Sequence, residues 1–190
     1  MGIKTLAAKF MLSRASAKVT PRPLSIPLDL ENKSLLVLLP AVQRDLTVVK
    51  QILPDVTDYF GDRNVFLLAC PESHVESIFP SKGFKIVSPK KSDTNWCELP
   101  SKVFLEKLGL QKYDYIFDTN LEENLFAARI LLQFPEAIRF GSNGHLGLPY
   151  INLAVKTKYL RDRRQIYRSI LEVIGNLAKS PRPHNKVSEE

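Results

Sequence analysis

Apolar residues along this chain fall into short continuous runs, separated by stretches in which they recur every three or four positions. That pattern predicts strands alternating with helices. The clearest run is Ser34-Leu-Leu-Val-Leu-Leu-Pro40, which reads as a central strand buried on both faces of a parallel sheet. From Asp45 the positions Val48, Val49, Ile52, Leu53 and Val56 take helical spacing, and Pro54 is expected to kink or divide that helix. After the Gly61-Asp62 turn, Val65 to Ala69 predicts a second buried strand, Glu72 to Phe79 a short helix closed by Pro80, and Gly83 to Ser88 a third strand with alternating exposure. A polar stretch, Pro89 to Glu98, precedes a helix from Ser101 to Leu108, for which Gly109 is the expected stop. Tyr113 to Phe117 predicts a fourth strand, Glu122 to Leu132 a helix, and Ile138 to Phe140 a short fifth strand. A glycine-bearing loop from Gly141 to Gly147 follows, then a candidate last strand from Tyr150 to Val155. The helix Asp162 to Lys179 gathers Ile166, Ile170, Ile174 and Leu177 on one face, with Tyr167 and Leu171 beside them.

Strands spaced by helices of this length need crossovers between parallel neighbours. The expected class is therefore α/β, a Rossmann-like, doubly wound, mostly parallel sheet. With 190 residues the chain has the size of one domain. Pro21, Pro23 and Pro27 divide it into a basic, proline-containing leader over 1–30, the α/β domain over 31–179, and a polar tail over 180–190 expected to be disordered.

Charge changes this picture mainly at the amino terminus. The formal net charge is +7, and Lys4, Lys9, Arg14, Lys18 and Arg22 all precede the first acid, Asp29. The rest is nearly balanced, which weighs against nucleic-acid binding by the globular part. A leader of this composition is expected to be a flexible tail. Its Ile3, Leu6, Ala7, Phe10 and Met11 nevertheless recur at helical spacing, which keeps an anionic membrane surface open as a partner and an organelle transit peptide as a minor reading. The longest apolar stretch, Leu35 to Val42, is eight residues long, whereas a membrane span needs about 20. Cys70 and Cys97 lie far apart with no Cys-x-x-Cys, so neither a disulfide scaffold nor a metal site is signalled. The expected location is cytoplasmic, with peripheral contact at an inner membrane through the leader.

In an open parallel sheet, ligands gather at the carboxyl ends of strands. The first such loop, Pro40 to Asp45, carries no Gly-x-Gly-x-x-Gly and no Walker pattern, so no nucleotide cofactor is expected. Asp45 is either a helix cap or a ligand contact, and residue type alone favours the cap. In the loop Asp118 to Glu123, Asp118 or Asn120 either caps the next helix or meets a polar ligand. The Gly141 to Gly147 loop could approach phosphates, but a flexible connection is the expected reading, with His145 solvated. His184 falls in the tail, and no Ser-His-Asp or Cys-His grouping can be assembled.

Taken in order, Leu35-Leu-Val-Leu-Leu39, the helix opening at Asp45, Tyr113-Asp-Tyr-Ile-Phe-Asp118, Ile138-Arg-Phe-Gly141 and Arg164-Gln-Ile-Tyr-Arg-Ser-Ile-Leu171 resemble the amino-terminal half of the lipopolysaccharide heptosyltransferases, glycosyltransferase family nine. The resemblance covers roughly residues 33–178, and Tyr-Asp-x-x-x-Asp is its most specific element. It implies one half of a two-domain, type B glycosyltransferase fold that binds a lipid-linked glycan acceptor. A donor-binding half for ADP-heptose is then expected in a partner chain. The family's first loop carries Gly-Asp, with the aspartate as general base. Asp45 matches that aspartate and Arg44 stands where glycine does. In the second motif Asp118 matches, Asn120 stands for glutamine, Leu121 for glycine and Asn124 for a basic residue. The resemblance thus implies Asp45 as catalytic, with Arg44, Asp118 and Asn120 on the acceptor, in bacterial envelope glycan synthesis. The expected chain is inactive without its partner, and a non-catalytic, Rossmann-like interaction module is the rival reading.

Overall fold

The computed structural model describes residues 2–73, 75–79, 83–144, 146–159 and 161–178. Six strands, β1 (Leu35–Leu38), β2 (Val65–Leu68), β3 (Lys85–Val87), β4 (Tyr115–Asp118), β5 (Ile138–Ser142) and β6 (Leu153–Val155), form one sheet in the order β3-β2-β1-β4-β5-β6. Every pairing is parallel. The sheet grows outward in both directions from β1 and β4, so the order reverses between them and a crevice opens at their carboxyl ends.

β1 sets the register of the centre: Leu35 pairs with Val65 on one side and Tyr115 on the other. All four of its residues are buried because helices cover both faces. Leu35 and Val37 join an apolar cluster with α2 (Gln43–Phe60), α3 (Val75–Ile78) and α6 (Arg163–Leu177). Leu36 and Leu38 point the other way, into a cluster with α4 (Lys102–Gly109) and α5 (Leu125–Leu131). α6 approaches α2 closely enough that a methyl group at Gly175 would run into the Tyr59 phenol.

Several local expectations change. α2 runs unbroken through Pro54 and starts at Gln43, ahead of Asp45. Proline removes one helical hydrogen bond. Burial of Leu46, Val49, Ile52, Leu53, Val56 and Phe60 along one face outweighs that loss. Gly109 is the last helical residue of α4 and does not terminate it in a left-handed turn; Leu110 follows in right-handed conformation. At the other end Ser101 caps α4, accepting from the Phe104 amide at 3.2 Å. β3 is an edge strand of half-exposed residues without the strict alternation expected.

The largest difference is the leader, which is not a flexible tail. Residues Ile3–Ser16 form a helix, α1, lying against α5. Ala8 and Leu12 are buried there with Cys97, Leu99, Ala128 and Leu132. The segment after α1 stays on the surface of the domain, with the Arg22 amide donating to the Pro135 carbonyl at 3.1 Å and the Leu28 amide to the Leu177 carbonyl at 2.6 Å. Composition was misleading because the small stripe Ala8/Leu12 has meaning only beside the surface that receives it. His145, Pro80 and the segment 179–190, including His184, lie outside the described residues. Among the described residues no helix is long and apolar enough to cross a membrane.

Candidate functional site

The crevice at the carboxyl ends of β1, β2 and β4 has a volume of about 470 Å³ and is walled by Asp45, Cys70, Asn120, Asn124 and, from α1, Lys4 and Thr5. It lies at the switch point of the sheet, where such folds place their ligands.

Asp45 stands in the first turn of α2 but does not cap it. The N-cap is Val42, with no side-chain hydrogen bond, which places Asp45 at the third helical position. Its carboxylate turns across to α6, where Arg163 donates to Oδ2. The Asp45 side chain is buried, at 3% exposure for the residue, so the helix cap favoured by residue type is replaced by an inward ion pair. Oδ1 is buried with no hydrogen-bond partner. Arg44 Nε lies 3.6 Å from it, on an exposed side chain. A carboxylate held at one oxygen by a guanidinium, with the other free of hydrogen bonds, can accept a hydroxyl proton at the free oxygen.

The second wall is a relay of amides. Asp118 Oδ1 accepts from the Asn120 backbone at 3.1 Å and from Asn120 Nδ2 at 2.7 Å. Asn120 Oδ1 accepts from Asn124 Nδ2 at 2.8 Å, and the same nitrogen reaches Cys70 Sγ at 3.0 Å. Asn124, not Asp118 or Asn120, is the α5 cap, its Oδ1 accepting from the Ala127 amide at 3.0 Å. Asp118 is absent from the crevice wall and orients Asn120 from beneath. Burial pushes the Cys70 thiol up to about 11, so at neutral pH it is a protonated donor, directed at the Leu39 carbonyl at 3.3 Å. β5 must pass close to Asp118: a Cβ at Gly141 would sit 2.9 Å from the Asp118 carbonyl oxygen.

α6 clamps both walls. Arg163 holds Asp45, and one turn later the Tyr167 hydroxyl donates to the Thr119 carbonyl at 2.7 Å. Thr119 in turn donates through Oγ1 to the Leu38 carbonyl at 2.6 Å. Burial raises the Tyr167 phenol well above its ordinary range, with the Asp45 charge adding to the effect. Sequence reasoning placed Tyr167 beside the core face and missed Arg163. The available signal was their i, i+4 spacing at the start of an otherwise apolar-faced helix.

Of the four site residues expected from sequence, Asp45 and Asn120 share the crevice and Asp118 supports it. Arg44 faces a neighbouring groove instead. Among the described residues there is no cluster of His, Cys, Asp or Glu able to hold a metal ion.

A six-stranded parallel sheet of this order, with a crevice at its switch point, is a doubly wound, Rossmann-like architecture. Three solved structures share it. E. coli heptosyltransferase WaaC with ADP superposes with a TM-score of 0.56 at 15% identity, over 77% of this chain and 48% of that one. A family 9 glycosyl transferase from Veillonella parvula DSM 2008 gives 0.59 at 14% identity, over 82% and 44%. WaaC with ADP-2-deoxy-2-fluoro heptose gives 0.54 at 12% identity, over 77% and 50%. The likeness is one of fold, and the chain spans about half the length of these proteins. The chain matches no protein-family profile and no curated protein sequence.

Proposed function

We propose that this chain is the acceptor-binding half of a heptosyltransferase-like glycosyltransferase that works together with a donor-binding half on a lipid-linked glycan of the bacterial envelope. The observation that carries the reading is Asp45 Oδ1: a buried carboxylate oxygen without a hydrogen-bond partner, on the wall of the switch-point crevice. In an inverting transfer the acceptor hydroxyl attacks the anomeric carbon, the bond from that carbon to the nucleotide diphosphate breaks, and the hydroxyl proton passes to Asp45. Asn120 and Asn124 border the same space and offer amide groups to the remaining hydroxyls. Asp118 is a positioning residue that fixes Asn120.

The test is transfer of labelled heptose from ADP-heptose to endogenous lipid-linked glycan by the full chain captured with its cellular partners. Asp45→Asn is expected to lower turnover by about 10²–10⁴, the usual contribution of a general base. Full turnover in that variant contradicts the catalytic role. Absence of transfer by the wild-type complex favours the non-catalytic interaction module instead.

The same reading places the chain at an anionic membrane surface. α1 is apolar on two sides: Ala8 and Leu12 face α5, while Ile3, Leu6 and Phe10 lie opposite at 81%, 56% and 63% exposure. Arg14 lies beside that face, 5.8 Å from the centroid of the Phe10 ring, whereas Lys4 and Lys9 are paired with Glu98 and Glu123. Exposed apolar residues beside an unpaired cation suit an anionic bilayer, where such a cation contributes about 1 kcal/mol. Because Lys4 and Thr5 also wall the crevice, docking through this face would hold the site near the lipid. Sedimentation with vesicles containing anionic lipid should be lost in Leu6→Glu/Phe10→Glu, and unchanged sedimentation contradicts the contact.

A further inference from the structure

Beside the crevice, a second groove of about 820 Å³ opens at the carboxyl ends of β5 and β6. Ser142 and Asn143 enter it from the end of β5, Lys156 and Thr157 follow β6, and α6 begins at its wall. Five cations line it: Arg44, Lys156, Arg161, Arg163 and Arg164. Only two carboxylates oppose them, Glu122 and Asp162. Both are engaged, since Glu122 accepts from Arg163 at 3.3 Å and Asp162 Oδ1 caps α6 by accepting from the Gln165 amide at 3.1 Å. Among the described residues, Lys156, Arg161 and Arg164 form no ion pair at all.

We propose that this groove is a binding site for a phosphate or diphosphate group. Three unpaired cations brought to one concave surface repel one another and raise the local concentration of anions. Two of the three are arginines, whose planar guanidinium matches phosphate oxygens in a bidentate fork. The first amides of α6, which have no intrahelical acceptor, add positive potential to a site that the side chains already define. Arg163 fixes the geometry from behind, since its guanidinium is committed to Asp45 and Glu122 and its side chain is only 20% exposed. Ser142 and Thr157 supply hydroxyl groups at the same wall.

The groove is larger than one phosphate needs and shares Leu121 and Glu122 with the crevice as common walls. The ligand is therefore an ester, with its organic part directed away from the cations. This assignment stands on the cations alone and does not depend on Asp45 acting as a base.

Calorimetric titration of the full chain with inorganic phosphate, pyrophosphate and ADP, at low and at physiological salt, tests it. Saturable pyrophosphate binding that weakens with salt is expected, falling at least about tenfold in Arg161→Glu/Arg164→Glu, because two charge-assisted hydrogen bonds are replaced by repulsion. Both side chains are exposed, so the melting temperature of that variant without ligand should match the wild type. Lys107→Glu/Lys112→Glu makes the same charge change on exposed residues outside the groove and should leave the affinity unchanged. Tighter binding of ADP than of pyrophosphate would identify a nucleoside diphosphate as the ligand, and equal binding a phosphate ester read only through its anion. No saturable binding by the wild type, or an equal loss in the lysine variant, would overturn the assignment.

Discussion

Replacing Asp45 by Asn distinguishes, through its effect on stability, an ion pair from a helix cap. A simple helix cap would tolerate the change, since asparagine caps as well as aspartate. In this structure the substitution instead strands Arg163, whose guanidinium loses the buried carboxylate it donates to. Breaking a fully buried pair costs about 3–5 kcal/mol. Arg163 retains Glu122 at 3.3 Å and some contact with solvent, which reduces the expected loss to about 1–3 kcal/mol. At roughly 2–4 °C per kcal/mol for a chain of this size, the melting temperature should fall by about 2–12 °C. Scanning calorimetry of the wild type, Asp45→Asn, Arg163→Met and the double variant would close a double-mutant cycle. The account requires the double variant to recover most of the loss seen in Asp45→Asn, because no charge is then left buried and unpaired. A melting temperature within 1 °C of wild type for Asp45→Asn would refute the reasoning.

Three further outcomes follow from the packing and the buried thiol. Gly141→Ala places a methyl group 2.9 Å from the Asp118 carbonyl oxygen, a backbone atom that cannot swing aside. It should cost about 1–3 kcal/mol and shift the Asn120 and Asn124 amide resonances, and unchanged spectra would show that β5 relaxes freely. Leu12→Ala should lose about 2–5 kcal/mol in urea unfolding because Leu12 is buried against α5, while Leu6→Ala on the open face should change less than about 0.5 kcal/mol. Equal effects would contradict the docking of α1. Burial raises the Cys70 thiol from 9.0 to about 11, so the unfolded thiol ionises first and stability is lost as pH rises from 9 towards 11, at no more than about 1.4 kcal/mol per pH unit. Urea titrations at pH 8 and 10 should show a smaller drop in Cys70→Ala, and an identical drop would remove Cys70 as a source.

What was legible in the sequence is what local pattern encodes. β1 and β2 were legible because Leu35 to Leu39 and Val65 to Ala69 are continuously apolar, as strands buried on both faces must be, and β4 because Tyr113 to Phe117 is largely so. Asp45 and Asn120 were singled out because ligand sites in such sheets follow the strands, and both border the crevice. The rest depends on partners distant in sequence. Arg163 lies 118 residues from Asp45, and no local signal links a helix-start arginine to that carboxylate. The α5 cap expected from Asp118 or Asn120 falls to Asn124 because the helix starts at Leu125 instead of Glu122. The leader was misjudged for the same reason, since prolines and cations describe its chemistry but not the apolar surface of α5 beneath it.

The central claim is that the crevice of Asp45, Asn120 and Asn124 receives the hydroxyl groups of a glycan. Titration of the isotopically labelled full chain with deacylated lipopolysaccharide core oligosaccharide, followed by amide resonances, tests it most directly. The account predicts saturable shifts concentrated at Asp45, Asn120 and Asn124, diminished when Asn120 is replaced by Leu. Shifts confined to other surfaces, or none at all up to millimolar oligosaccharide, would contradict it.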